Sequence, residues 1–264
     1  MKWILALIIC ISLNSCYVLP SMHYSVAQNV PLFTQKNEAR LSVATGTEAI
    51  GVQGAYAFSN SFAVLASYYG GLDEFPAALF ADDGSNIGTR QSGEFALGYF
   101  KPIGRHSIIE VYAGVERYYR AFSWYSEAYL FPVQTGSFSA YCTKPFVQVD
   151  LGLHNTGHHS LGLSMKIGML KYDHFYYVIT DTTGRLVQRA SDLNFSPALI
   201  VEPCFTYRLG NKWLNFQAQA GLSLTTSLVN NIYFGPGLSE AFFFSAGLSM
   251  KMFMERTDQI KQVE

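Results

Sequence analysis

Residues 50–58 read Ile-Gly-Val-Gln-Gly-Ala-Tyr-Ala-Phe. Ile50, Val52, Gly54, Tyr56 and Phe58 share one parity, and Gly51, Gln53, Ala55 and Ala57 share the other. Successive side chains of an extended chain point to opposite faces. Period two therefore sorts this stretch into a largely apolar face and a small or polar one. Ser59-Asn60-Ser61 has the composition of a tight turn and leads into a second such stretch, Phe62 to Tyr69.

Working outward, the pattern recurs. Phe95, Leu97 and Tyr99 oppose Glu94, Ala96 and Gly98; Ile109, Val111, Ala113 and Val115 oppose Glu110, Tyr112, Gly114 and Glu116. Val147, Val149 and Leu151 oppose Gln148, Asp150 and Gly152; Leu163, Met165 and Ile167 oppose Ser164, Lys166 and Gly168. Leu199, Val201, Phe205 and Tyr207 oppose Glu202, Cys204 and Arg208. Two last stretches, over 214–222 and 242–250, close the series, and Ala39 to Thr45 opens it. This predicts ten strands, an even number. Short turns follow the second, fourth, sixth and eighth; long segments, including 70–91, 119–139 and 173–193, follow the third, fifth, seventh and ninth. Pro145, Pro197 and Pro203 cannot donate to a ladder, so they predict bulges or strand ends.

An all-β reading of this kind fits two architectures. A soluble, lipid-anchored sandwich or lipocalin-like cup would turn its apolar face inward and cover the other with charge. A transmembrane barrel would do the reverse and must close, because unpaired backbone groups in lipid each cost several kcal/mol. Composition favours the barrel. Charged residues are 14% of the chain, aromatics are 15%, and the second face is mostly Gly, Ala, Ser and Gln. A net charge of −1 gives no electrostatic footprint for nucleic acid. The expected fold is a ten-stranded antiparallel transmembrane β-barrel over 38–253, with short periplasmic turns and long extracellular loops.

The front end reads as a targeting segment. Lys2 precedes an apolar run, Trp3 to Leu13, that is too short to span a bilayer comfortably. Leu13-Asn14-Ser15-Cys16 resembles a bacterial lipobox, which implies a signal over 1–15 and lipidation of Cys16. Ser25-Val26-Ala27 resembles an ordinary signal peptidase site and keeps that alternative open. Residues 16–37 are expected to be a periplasmic linker and 254–264 a polar tail. Both ends then fall in the periplasm, as a lipid anchor in the inner leaflet requires. As a whole, the chain resembles the small outer-membrane β-barrels of Gram-negative bacteria, of the OmpA and OmpX kind. That resemblance implies the bacterial outer membrane and its lipid as the surroundings.

Candidate chemistry is sparse. The inward parity collects Arg40, Glu94, Glu110, Glu116, Asp150, Lys166, Glu202 and Arg208, joined by Lys251, Gln53, Gln148, Gln217 and Gln219. Buried charges need partners, so these are expected to form a paired interior network, with a narrow passive channel as the alternative. Asp82-Asp83 and Asp173-His174 fall in predicted loops. Ten-stranded omptin proteases use an acid pair opposite an Asp/His pair, but their members are one residue apart and point the same way. Adjacent residues in an extended chain diverge, so no catalytic residue is assigned and no enzyme is expected. His154, His158 and His159 lack a carboxylate or Cys at ligand spacing, so no metal and no cofactor is expected. Cys142 and Cys204 are not expected to pair. Trp124, Tyr125, Tyr129 and Phe131 are read as aromatic packing at the rim. The remaining expectation is a structural or surface-interaction protein that meets an extracellular or envelope protein through its long loops.

Overall fold

The computed structural model describes residues 25–46, 49–74, 87–104, 106–126, 134–154, 158–181, 183–191, 197–211, 213–225 and 242–253. Its strands are β1 (Glu38–Gly46), β2 (Ile50–Ala57), β3 (Phe62–Glu74), β4 (Ile87–Ile103), β5 (Ser107–Ser126), β6 (Gln134–His154), β7 (His159–Asp181), β8 (Leu186–Ser191), β9 (Ala198–Gly210), β10 (Leu214–Leu222), β11 (Leu224–Thr225) and β12 (Phe242–Phe253). Consecutive strands pair antiparallel from β1 to β7. β7 then pairs with β9, β9 with β10, β10 with β12, and β12 returns to β1. The ring is closed by ten strands; β8 and β11 are additions to it.

Burial follows the parity of the sequence, with the sense expected in lipid. Ile50 is 63% exposed, Leu163 58% and Phe244 58%, whereas Glu110, Gln148 and Asp150 are 0% exposed. An apolar exterior running around the whole cylinder far exceeds what a soluble monomer tolerates. The soluble-cup alternative is thereby set aside.

The prolines act differently from expectation. Pro197 does precede a strand, β9. Pro145 stays within β6, and the β6–β7 register is unchanged from Thr143↔Lys171 to Phe146↔Gly168, with the ladder interrupted between them. Pro203 breaks the β9–β10 ladder in the same way. Pairing stops at Cys204↔Gly221 and resumes in the same register as Val201↔Leu224, so β11 continues β10 past the gap. The missing N–H removes a bond without displacing the strand.

The true irregularity lies at Asp173. Cys142 pairs with Tyr172 while Tyr141 pairs with His174, which leaves Asp173 as the extra residue of a bulge. Parity flips there: Leu170 is buried at an even position, and Phe175 is buried at an odd one. Beyond the bulge β7 continues to Asp181 and folds back as β8, so most of the predicted loop 173–193 is a hairpin. Likewise, 70–74, 87–91, 119–126 and 134–139 belong to strands. β5, β6 and β7 reach 20, 21 and 23 residues, about twice the 9–11 that a membrane crossing needs. Their excess rises on the loop side.

A second departure is larger. The sequence reading gives 16–37 to a periplasmic linker, but residues 25–33 run through the lumen outside any helix or strand. Ser25, Ala27, Gln28, Asn29, Val30, Leu32 and Phe33 are all buried. Phe33 packs at the turn side against Ala57, Ala63 and Phe100, and Asn37 N donates to Ala57 O at 2.8 Å as the chain enters β1. At the other end, Ser25, Ala27, Gly46, Ala49, Tyr69 and Phe243 bound a cavity of about 10 Å³, room for one water at most. Gly46 and Ala49 flank the β1–β2 connection, so Ser25 stands at the loop side of the barrel, the end opposite the short turns.

Candidate functional site: the occupied lumen

Each of the ten ring strands contributes side chains to the lumen by alternation, and the lumen segment converts them into a site. Gln53 Nε2 donates to Ala27 O at 2.9 Å, and the Tyr69 hydroxyl donates to the same oxygen at 2.5 Å. Gln219 Nε2 donates to Gln28 O at 2.7 Å and Gln148 Nε2 to Asn29 O at 2.8 Å. Arg208 Nη2 donates to Val30 O. Glu110 closes the row: its carboxylate accepts Leu32 N at 3.0 Å and Phe33 N at 2.6 Å. Leu32 has φ +58°, a left-handed conformation that costs a non-glycine residue about 1–2 kcal/mol. It brings two consecutive N–H groups onto the two oxygens of one carboxylate, a nest-like arrangement.

The segment's own side chains are also held. Gln28 donates to Glu202 O at 2.8 Å and accepts from Ser164 Oγ at 2.5 Å. Asn29 Nδ2 donates to Gly54 O at 3.0 Å. Val30 and Leu32 pack with Ile108, and the Phe33 ring lies 5.6 Å from that of Phe100. The lumen therefore holds apolar clusters beside its expected polar network.

The predicted interior charges are buried, apart from the half-buried Lys251, and the structure sorts them into groups. Lys166 Nζ sits 2.7 Å from Glu94 and 3.7 Å from Glu116. Lys144, which the sequence reading passed over, joins Glu116 at 3.0 Å and Glu202 at 2.7 Å. Nearer the turns, Glu38 meets Lys251 at 2.8 Å and Arg40 at 3.7 Å, and receives Thr34 N at 3.0 Å. Glu110 and Asp150 are register partners, and Asp150 accepts from Gln148 at 3.0 Å. Arg208 also donates to Gln217 at 2.8 Å. Arg90 and Arg120, also unread in the sequence, are buried register partners on the loop side. Lys144 was legible: it shares its parity with Phe146, Gln148 and Asp150.

The two loop dyads fare differently. Asp82 and Asp83 lie outside the described residues, as do Tyr129 and Phe131. Asp173 and His174 do not diverge as expected, because the bulge intervenes. Asp173 accepts from Thr143 Oγ1 at 2.5 Å, and His174 sits edge-on to Tyr141; both contacts lie on the outer face. His158 Nδ1 is 2.9 Å from Gly210 O and His159 Nδ1 is 2.7 Å from the Tyr207 hydroxyl. Among the described residues no His, Cys, Asp and Glu group has metal-binding geometry. Cys142 and Cys204 are buried free thiols.

A closed, even-stranded antiparallel barrel with an apolar exterior and a charged lumen is a transmembrane β-barrel of the bacterial outer membrane. No protein-family model and no curated protein matches the chain. Among solved structures it is similar to the translocator domain of autotransporter NalP from Neisseria meningitidis, at 12% identity and TM-score 0.44 over 82% of this chain and 87% of that one. It is also similar to a major outer membrane protein from Thermus thermophilus, at 12% identity and TM-score 0.41 over 81% and 99%. OmpT, an outer membrane protein of Vibrio cholerae, matches at 10% identity and TM-score 0.24 over 82% and 97%. Likenesses this loose carry no assignment beyond what the barrel itself defines.

Proposed function

We propose that this protein is a self-plugged, non-catalytic barrel that mounts a raised β-sheet on the outer face of the membrane for contact with extracellular or envelope partners. The observation that carries the reading is the lumen segment. Residues 25–33 and the side chains bound to them occupy the path an ion would take, which counts against the narrow-channel alternative. The excess length of β5–β7 with the β8 hairpin supplies the surface. Planar-bilayer recording tests it: the intact chain stays silent across salts and voltages, and steady conductance steps would overturn the plugged reading. Replacing 174–191 by a short turn tests the surface role. Unchanged binding of cells carrying that variant to envelope or cell surfaces would count against it.

The same reading includes lipid on Cys16, supported by the lipobox-like Leu13-Asn14-Ser15-Cys16. Radiolabelled palmitate incorporated by the parent and lost in Cys16→Ala is the expected result.

A further inference from the structure

The contacts that hold residues 25–33 have an unusual chemistry. Gln53, Tyr69, Gln219, Gln148, Arg208 and Glu110 come from six different strands (β2, β3, β10, β6, β9 and β5), and each reaches the main chain of the segment. Four successive carbonyls, from Ala27 to Val30, receive donors. Two successive N–H groups, of Leu32 and Phe33, meet an acceptor. Pro31, which has no N–H, falls between the two runs. Such contacts recognise extended polypeptide as such, whatever its side chains. Selectivity is added by a polar niche at Gln28 and Asn29 and by apolar seats for Val30, Leu32 and Phe33.

The lumen side chains need these partners. Gln148, Gln219, Arg208 and Glu110 are all buried, and a buried donor or acceptor left without a partner costs about 1–3 kcal/mol. Only one covalent link ties the segment to the barrel, through Thr34, Gln35 and Lys36, and these three residues are exposed.

We propose that the lumen is a binding tract for an extended polypeptide, and that residues 25–33 are its built-in occupant, replaceable by an equivalent segment supplied in trans. This goes beyond the mounting role above, since it assigns the barrel a ligand class of its own.

The test keeps the whole chain. A sequence-specific protease site is inserted between Gln35 and Lys36, the detergent-folded protein is cut, unfolded in urea and refolded with excess fluorescent peptide spanning residues 25–34. The expected result is stoichiometric label in the compact, unboiled band of the cut chain, with at least about tenfold less in the uncut chain. A peptide N-methylated at Leu32 and Phe33 loses the two bonds to Glu110 and competes about tenfold less well or worse. Equal labelling of cut and uncut protein would mean adsorption to the outside and would overturn the proposal. So would a cut chain that refolds without taking up label, or one that fails to refold where the uncut chain succeeds, or equal competition by the N-methylated peptide. Conductance of the intact chain, which decides the plugged reading, is read separately and does not bear on this outcome.

Discussion

Glu110 and Phe33 stand 77 positions apart in the chain, and the Phe33 N–H meets the Glu110 carboxylate at 2.6 Å. Leu32 N meets its other oxygen at 3.0 Å. One acid on β5 thus fixes the end of the lumen segment nearest the turns. Glu110→Gln retains one acceptor and turns an amide donor toward an N–H. The expected loss is about 1–3 kcal/mol. It is measured as a lower urea midpoint in detergent and as faster trypsin cleavage at Lys36. An unchanged midpoint and cleavage rate would refute this anchoring role.

Tyr112 and Gly98 make a second such pair. They are register partners on β5 and β4, and a Cβ on Gly98 would lie 2.2 Å from the Tyr112 ring. Gly98→Ala therefore displaces a buried ring, at about 1–3 kcal/mol. In a Tyr112→Ala background the clash is gone, and the same change is expected to reverse sign, since Ala is favoured over Gly in a strand by roughly 0.5–1 kcal/mol. A double-mutant cycle on unfolding free energies reads the inversion.

Leu163 faces outward on β7 and is 58% exposed. Leu163→Arg on the surface of a soluble protein would be close to neutral. In a lipid-facing belt it costs about 2–4 kcal/mol near the midplane. Unfolding from lipid vesicles is expected to show the second value, with Leu163→Ala much milder.

Lys144 lies between Glu202 at 2.7 Å and Glu116 at 3.0 Å. Lys144→Met leaves two buried carboxylates without their nearest cation, and the expected cost is about 3–5 kcal/mol. Adding Glu202→Gln recovers part of it. Additive losses in the double variant would show that the pair is not coupled.

Asp181 forms the tip of the β7–β8 hairpin. Its carboxylate accepts the Thr183 hydroxyl at 2.7 Å, Arg185 N at 2.8 Å and Thr183 N at 2.9 Å. The Thr183 hydroxyl first, and then the Arg185 N–H, hold its pKa below the ordinary aspartate value. A depressed folded pKa contributes order that is present above the unfolded value and lost as pH falls through the folded one. The Thr183 and Arg185 amide resonances are expected to move only below about pH 4, and Asp181→Asn removes that dependence.

Much of the barrel could be read from residues alone, because alternation is a local property that each strand carries in full. Ile50–Phe58 announces its two faces without reference to any neighbour. The hairpin over 174–191 escaped because the bulge at Asp173 resets the parity within one strand, and an alternation counted from Leu161 then runs out of phase. The prolines misled for a related reason. Their missing N–H is visible in sequence, but whether a ladder absorbs the loss in register depends on the strand alongside. The inward charges were identified by parity, while their partners were not, since Lys144, Glu116 and Glu202 belong to three different strands.

By itself the sequence determined an even number of strands, an outside of oil and an inside of polar and small groups, all of which follow from period two and from what hydrocarbon tolerates. Only the tertiary structure decided what fills that inside. Ser25 to Phe33 carry no alternation and no charge to mark them, and they are held in the lumen because polar side chains from strands far apart in the chain converge on their backbone while Ile108 and Phe100 receive their apolar side chains. The inward glutamines 53, 148 and 219 were the one trace in sequence of this demand: amides lining a closed space need main-chain partners that paired strands have already given to each other.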